Sequence, residues 1–130
     1  MNAQQETWYT WEDDGFKAMA RICGWGGVLV TQASLASIAY EVFDLDNHNA
    51  STGSGSVTIA DAVYDTEQTG SGWPAGYSDG FNFAFLVPGS CFPTGGHYYQ
   101  VEFRFTPAGS NPQPFSLIFE RVFAKRRLGS

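Results

Sequence analysis

Three consecutive stretches in the C-terminal half alternate large apolar side chains with smaller or polar ones, and no other feature restricts the fold as tightly. Phe81, Phe83, Phe85 and Val87 alternate with Asn82, Ala84 and Leu86. Tyr99, Val101, Phe103 and Phe105 alternate with Gln100, Glu102, Arg104 and Thr106, and Phe115, Leu117 and Phe119 alternate with Ser116, Ile118 and Glu120. A period of two belongs to an extended strand, whose successive side chains point to opposite faces. Pro88-Gly89, the Phe92-Pro93-Thr94-Gly95-Gly96 run and the Pro107 to Pro114 connection punctuate the three strands. Each strand offers one apolar face, and each large side chain fully buried there contributes roughly 1.5–3 kcal/mol.

Such a face needs a cover, and the N-terminal half supplies one. Phe16, Ala18, Ala20 and Ile22 fall on one side of a strand that ends at Gly24-Trp25-Gly26-Gly27. Ile38, Tyr40 and Val42 alternate with Ala39, Glu41 and Phe43, with Thr31 to Leu35 as a single helical turn before them. A short strand is expected over Val57 to Ile59, and no stretch of ten or more residues carries a helical period. The expected fold is all-β: an antiparallel sandwich of about seven strands, with a closed barrel as the alternative. Asp44 to Ser56 and Asp65 to Gly80, rich in turn formers, are expected to be surface loops. The chain thus divides into an N-terminal arm over 1–14, a sandwich over 15–124 and a basic tail over 125–130.

Charge excludes some functions. Thirteen acidic against seven basic side chains give a net charge of −6, the wrong sign for the phosphate contacts that drive nucleic-acid binding. No apolar run approaches the roughly 20 residues of a membrane-spanning helix, so no membrane partner is expected. The opening residues lack the basic and apolar regions of a secretory signal, so Cys23 and Cys91 are expected to stay reduced.

No motif indicates an enzyme. His48 and His97 are the only imidazoles, and neither neighbours a nucleophile motif. Asp44, Asp46, Asn47, His48 and Asn49 resemble the opening of a calcium loop but lack its sixth-position glycine and terminal glutamate, so they are read as a solvated turn. Asp61, Asp65, Glu67 and Asp79 are read as solubility and turn chemistry. No catalytic, cofactor-binding or metal-ligating residue is therefore assigned, and no cofactor is expected.

The aromatic residues carry more information. Eleven phenylalanines concentrate on the alternating positions, whereas the tryptophans fall outside them. Trp and Tyr bury much area at low entropic expense, which suits recognition surfaces. Trp8, Tyr9 and Trp11 in the arm, and Trp73 and Tyr77 in the long loop, are the candidate binding residues. Trp25 and Trp73 have a second reading, in which they fold back to plug the ends of the sandwich. The opposite signs of Glu12-Asp13-Asp14 and Lys125-Arg126-Arg127 also suit head-to-tail contact between copies.

Ala36-Ser37-Ile38-Ala39-Tyr40-Glu41-Val42-Phe43-Asp44, Ala62-Val63-Tyr64-Asp65-Thr66, Phe81-Asn82-Phe83, Phe92-Pro93 and His97 to Thr106 together resemble small immunoglobulin-like β-sandwich structural proteins of tailed bacteriophages and prophages. The resemblance spans about residues 35 to 120 and leaves out the arm. It implies a virion component of the neck, tail or capsid decoration, made in the host cytoplasm. Such a protein would bind other virion subunits, form a homo-oligomer and perform no catalysis. The alternative is a carbohydrate-binding module that stacks a glycan on Trp73, Tyr77 and Trp25. An acidic mimic of nucleic acid ranks last, because the negative charge is mild and dispersed.

Overall fold

A computed structural model of the chain describes residues 8–23, 28–68, 80–110 and 113–126. Among them are eight strands: β1 (Trp8–Trp11), β2 (Phe16–Ala20), β3 (Leu35–Asp44), β4 (Ala50–Val57), β5 (Val63–Gln68), β6 (Phe81–Val87), β7 (Tyr98–Pro107) and β8 (Phe115–Lys125). A single turn of helix, α1 (Ile59–Ala62), links β4 to β5, and short 3-10 turns cover Gln32–Ser34 and Gly89–Cys91. One sheet runs β1-β8-β7-β3-β4 and the other β2-β6-β5. The molecule is a two-sheet, all-β sandwich with eight strands among the described residues where about seven were expected.

The alternating phenylalanines fill the space between the sheets. The Phe83 ring, from the three-stranded sheet, meets Phe103 and Phe105 of β7 edge-on at 5.0 and 5.4 Å. Phe16 of β2 meets Phe119 of β8 at 5.4 Å in the same geometry. Edge-to-face contact sets the positive rim of one ring against the negative face of the next, adding to the area term. The 3-10 turn over Gly89–Cys91 places Phe92 and Cys91 in the same core.

Three segments differ from expectation, each for a physical reason. Trp8–Trp11 does not stand off as an arm. It pairs in parallel with β8, Trp8 opposite Val122 and Trp11 opposite Lys125. Trp8 turns inward against Phe119 at 5.0 Å, and Thr10 and Glu12 are buried. The acidic and basic runs meet inside one chain: the Glu12 amide donates to Lys125 O at 2.9 Å. A Cβ on Gly95 would lie 2.7 Å from Arg126 Cα and 3.0 Å from the Glu12 carboxyl carbon, so only glycine fits between them. The second difference is β4, which replaces much of the expected Asp44 to Ser56 loop. Its inward positions at 53 and 55 are glycines because the space is taken: a Cβ on Gly53 would meet Cys91 Sγ at 2.5 Å, and one on Gly55 would meet the Tyr40 ring at 3.0 Å. After it, Ile59 opens α1 in place of ending a strand. The third is the run from Asp65, where β5 continues to Gln68 before 69–79, which lie outside the described residues.

Asn82 also departs from its alternation. It is fully buried, and its side chain accepts from Ile22 N at 2.6 Å and donates to Ile22 O at 3.0 Å and Val30 O at 2.9 Å. Ile22 and Val30, which lie on either side of residues 24–27, are thereby fixed to β6.

Several buried acids are held neutral. Burial pushes the Cys91 thiol above its ordinary value. Burial, then the neighbouring Cys91, does the same to Tyr40. Burial raises Tyr99 against the lowering effect of its Thr94 hydrogen bonds, and the charges of Asp44 and Asp13 add to the rise. All three are raised, so the folded chain holds these protons more tightly than the unfolded one. Their contribution is complete below the unfolded values and falls as pH climbs through the thiol and phenol range, from about 9 to above 10. Melting temperatures measured from pH 8 to 11 should fall progressively across that window; a flat profile would show that these groups are solvated.

Candidate functional site

Alternation along the strands of the larger sheet sends one set of side chains to the core and the other to an open outer face. At one end of that face three aromatic residues lie side by side across three strands. Tyr9 of β1 is registered with Phe123 of β8, and Phe123 with Tyr98 of β7. The Tyr9 and Phe123 rings are 6.3 Å apart and the Phe123 and Tyr98 rings 4.9 Å. Trp11 and Lys125 form the next row outward. The Lys125 ammonium lies over both Tyr9 and Trp11, at 5.1 and 5.4 Å from the ring centres, and the Arg121 guanidinium lies over Tyr98 at 4.2 Å. Each such contact contributes about 0.5–1 kcal/mol at an exposed site and fixes the position of the charge. Tyr9 and Trp11 remain 60% and 47% exposed, a surface that gains nothing for the isolated domain.

The strip is positive within an acidic protein, for four of the seven basic residues of the chain fall between 121 and 127. Farther along the face the sign reverses. Beyond the Phe43 and Gln100 pair, Glu41 of β3 and Glu102 of β7 are direct cross-strand partners.

No family model, curated protein or solved structure matches this chain. Its surface chemistry is therefore the basis for assigning a role.

Of the candidate binding residues, Tyr9 and Trp11 share the exposed face, while Trp8 points the other way into the core. Trp73 and Tyr77 lie outside the described residues, as does Trp25. The sequence marks Lys125 only as part of a basic run and gives no reason to single out Phe123, Tyr98 or Arg121. The alternation of Arg121, Phe123 and Lys125 was their signal, hidden because a bulge opposite Gln100 shifts the register of β8 between Phe119 and Val122.

Of the Asp44 to Asn49 segment only Asp44 turns inward, and Asp46, Asn47, His48 and Asn49 form an exposed turn. Asp44 is buried, and its carboxylate pairs with His97 Nδ1 at 2.8 Å and accepts the Asp46 amide at 3.0 Å. Asp46 in turn accepts the Tyr98 amide at 2.7 Å. His48 and Asn49 close the hairpin in the left-handed region, at φ of 57° and 58°. Both carboxylates thus fasten the β3–β4 hairpin to the start of β7. Among the described residues no group of three or more His, Cys, Asp or Glu side chains is arranged to hold a metal ion. Cys23 and Cys91 are free thiols, Cys23 beside the Arg21 guanidinium at 3.1 Å and Cys91 in the core.

At the opposite end of the sheet, Val28, Leu35, Pro107 and Phe115 line an apolar recess of about 240 Å³. That is below the roughly 300–1,000 Å³ typical of small-molecule pockets, and it offers few polar groups to orient a ligand. The outer face is the stronger candidate.

Proposed function

We propose that this chain is a non-enzymatic assembly protein, an immunoglobulin-like sandwich acting as a structural or adaptor component of a tailed-phage particle. The observation that carries the assembly reading is the strip of exposed Tyr9 and Trp11 with half-buried Phe123 and Tyr98, Lys125 and Arg121 being laid over its rings. Aromatic residues and arginine on a flat face are what protein interfaces enrich at their centres.

Two features support the immunoglobulin-like part. In the constant-type arrangement strands B, E and D share one sheet and C, F and G the other. Taking β2, β3, β5, β6, β7 and β8 as B, C, D, E, F and G gives the observed neighbours, with β4 added beyond C. β1 departs from that arrangement by joining β8 instead of β2. The second feature is Tyr99, the second residue of β7, whose hydroxyl donates to Thr94 O at 3.1 Å and accepts the Thr94 amide at 3.0 Å. A tyrosine at the start of strand F bonded back to the preceding corner is a hallmark of such sandwiches. The inter-strand disulfide of antibody domains has no counterpart here, since Cys91 sits in a 3-10 turn and Cys23 bridges Leu29.

Mass spectrometry of purified particles should detect the chain, and its absence from them would overturn the virion assignment. Trp11→Ser combined with Tyr9→Ser should lower incorporation while moving the melting temperature by only a few degrees, because both rings face solvent. Glycan binding is the second reading, favoured by two exposed rings on one flat face. Lys125 covers the ring faces a sugar would stack on, which ranks it below assembly. Quenching of tryptophan fluorescence by oligosaccharides would reverse that order.

A further inference from the structure

We propose that the outer face of the five-stranded sheet is self-complementary and pairs with a second copy of this chain, the cationic aromatic end of each copy lying over the acidic row of the other. The inference deepens the assembly reading by naming a partner and a face, and rests on it only in that both use the same strip.

The acidic row is the first argument. Glu41 and Glu102 are registered directly opposite each other, where Cβ atoms stand about 4.5–5.5 Å apart and like charges destabilise the pair. Ser116 donates its hydroxyl to Glu102 at 3.1 Å, but among the described residues no ion pair involves either carboxylate. Arg104, two residues beyond Glu102 on the same face of β7, makes no ion pair with either acid among the described residues, so both half-buried carboxylates are open to a cation from outside. The second argument is the strip at the other end, where Arg121 and Lys125 are held in fixed positions over aromatic rings.

The spacing suits a two-fold axis. Tyr98 and Glu102 are four residues apart on β7, about 13 Å at strand rise. The Phe43 and Gln100 row lies midway between them. A two-fold axis lying in the interface across the strands at that row keeps each strand over its own counterpart, so Arg121, held over Tyr98 of β7, comes onto the partner's Glu102, and the complementary contact forms twice. Phe43, Phe123 and the 42% exposed Ile118 are then covered near the centre. An acidic or neutral partner would leave Glu41 and Glu102 uncompensated, whereas a second copy satisfies both ends of the face at once.

Size-exclusion chromatography with light scattering should give twice the 14.2 kDa chain mass at high protein concentration. E41K/E102K alone and R121E/K125E alone should each weaken the dimer about tenfold or more, because like charges then meet across both halves. An equimolar mixture of the two variants should recover dimers, since each reversed charge then meets its opposite on the other copy. Circular dichroism checks that each variant folds; where a reversal does not, E41Q/E102Q and R121Q/K125Q replace the pair and should each weaken association. A monomeric wild-type chain overturns the inference, as does a dimer indifferent to both variants or a mixture that stays monomeric. A chain found in particles but monomeric alone would remove this dimer and keep the assembly reading, while a dimer absent from particles would do the reverse.

Discussion

Asn82→Ala is expected to lower stability by about 2–6 kcal/mol, a large share of what a domain of this size has. The side chain is fully buried and makes three hydrogen bonds, to Ile22 N, Ile22 O and Val30 O. Alanine leaves Ile22 N and Val30 O without that partner, whereas Ile22 O keeps the Val30 amide at 3.0 Å, and each buried orphan costs about 1–3 kcal/mol. A domain of this size has roughly 5–15 kcal/mol in all. Asn82→Asp keeps the acceptor for Ile22 N but sets a carboxylate against two carbonyl oxygens, so it should be no better tolerated. Chemical denaturation followed by tryptophan fluorescence measures both. A loss below about 1 kcal/mol for alanine would mean that water or a shifted backbone satisfies Ile22 and Val30.

Phe103→Ala should be comparably severe, at about 3–5 kcal/mol. Phe103 is fully buried, and its ring lies within 5.0 to 6.3 Å of the rings of Phe83, Phe85, Phe119 and Tyr40, so it touches both sheets. Removing it opens a cavity at the centre of the sandwich whose close-packed aromatic walls collapse only in part. Phe123→Ala is the control, since that ring lies on the outer face between Tyr9 and Tyr98. It should lose about 1 kcal/mol, the worth of an aromatic contact and part of its area. Thermal melts that showed the two substitutions equal would mean that the outer strip is as much a part of the core as Phe103.

The three phenylalanine-rich strands and β3 are legible in the sequence because each has one wet and one dry face, so its pattern has a period of two. β4 and β1 are not, for opposite reasons. β4 packs against Tyr40 and Cys91 so closely that Gly53 and Gly55 stand at its inward positions there, and a strand whose large apolar side chain is confined to its last residue, Val57, reads as a loop. β1 is only four residues long and half aromatic on both faces, which conceals alternation. Asn82 sits at an outward position by count yet is buried, because Ile22 and Val30 bond to it from far away in the chain, a long-range event with no local signature. Similarly, Tyr9 and Trp11 stand out in the sequence as aromatics off the strand pattern, but not that Lys125 would lie over them, since that depends on a parallel pairing between distant strands.

That pairing has a consequence for the order in which the molecule forms. Trp8 is registered with Val122, 122 − 8 = 114 residues away along the chain. Loop closure over such a span is among the slowest contacts a domain can make. On a ribosome β1 is synthesised first, yet it has nothing to pair with until β8 has left the exit tunnel. The first strand made is thus the last to be seated, and until then Trp8, Tyr9 and Trp11 are open to any chaperone or neighbouring nascent chain that recognises exposed aromatic residues.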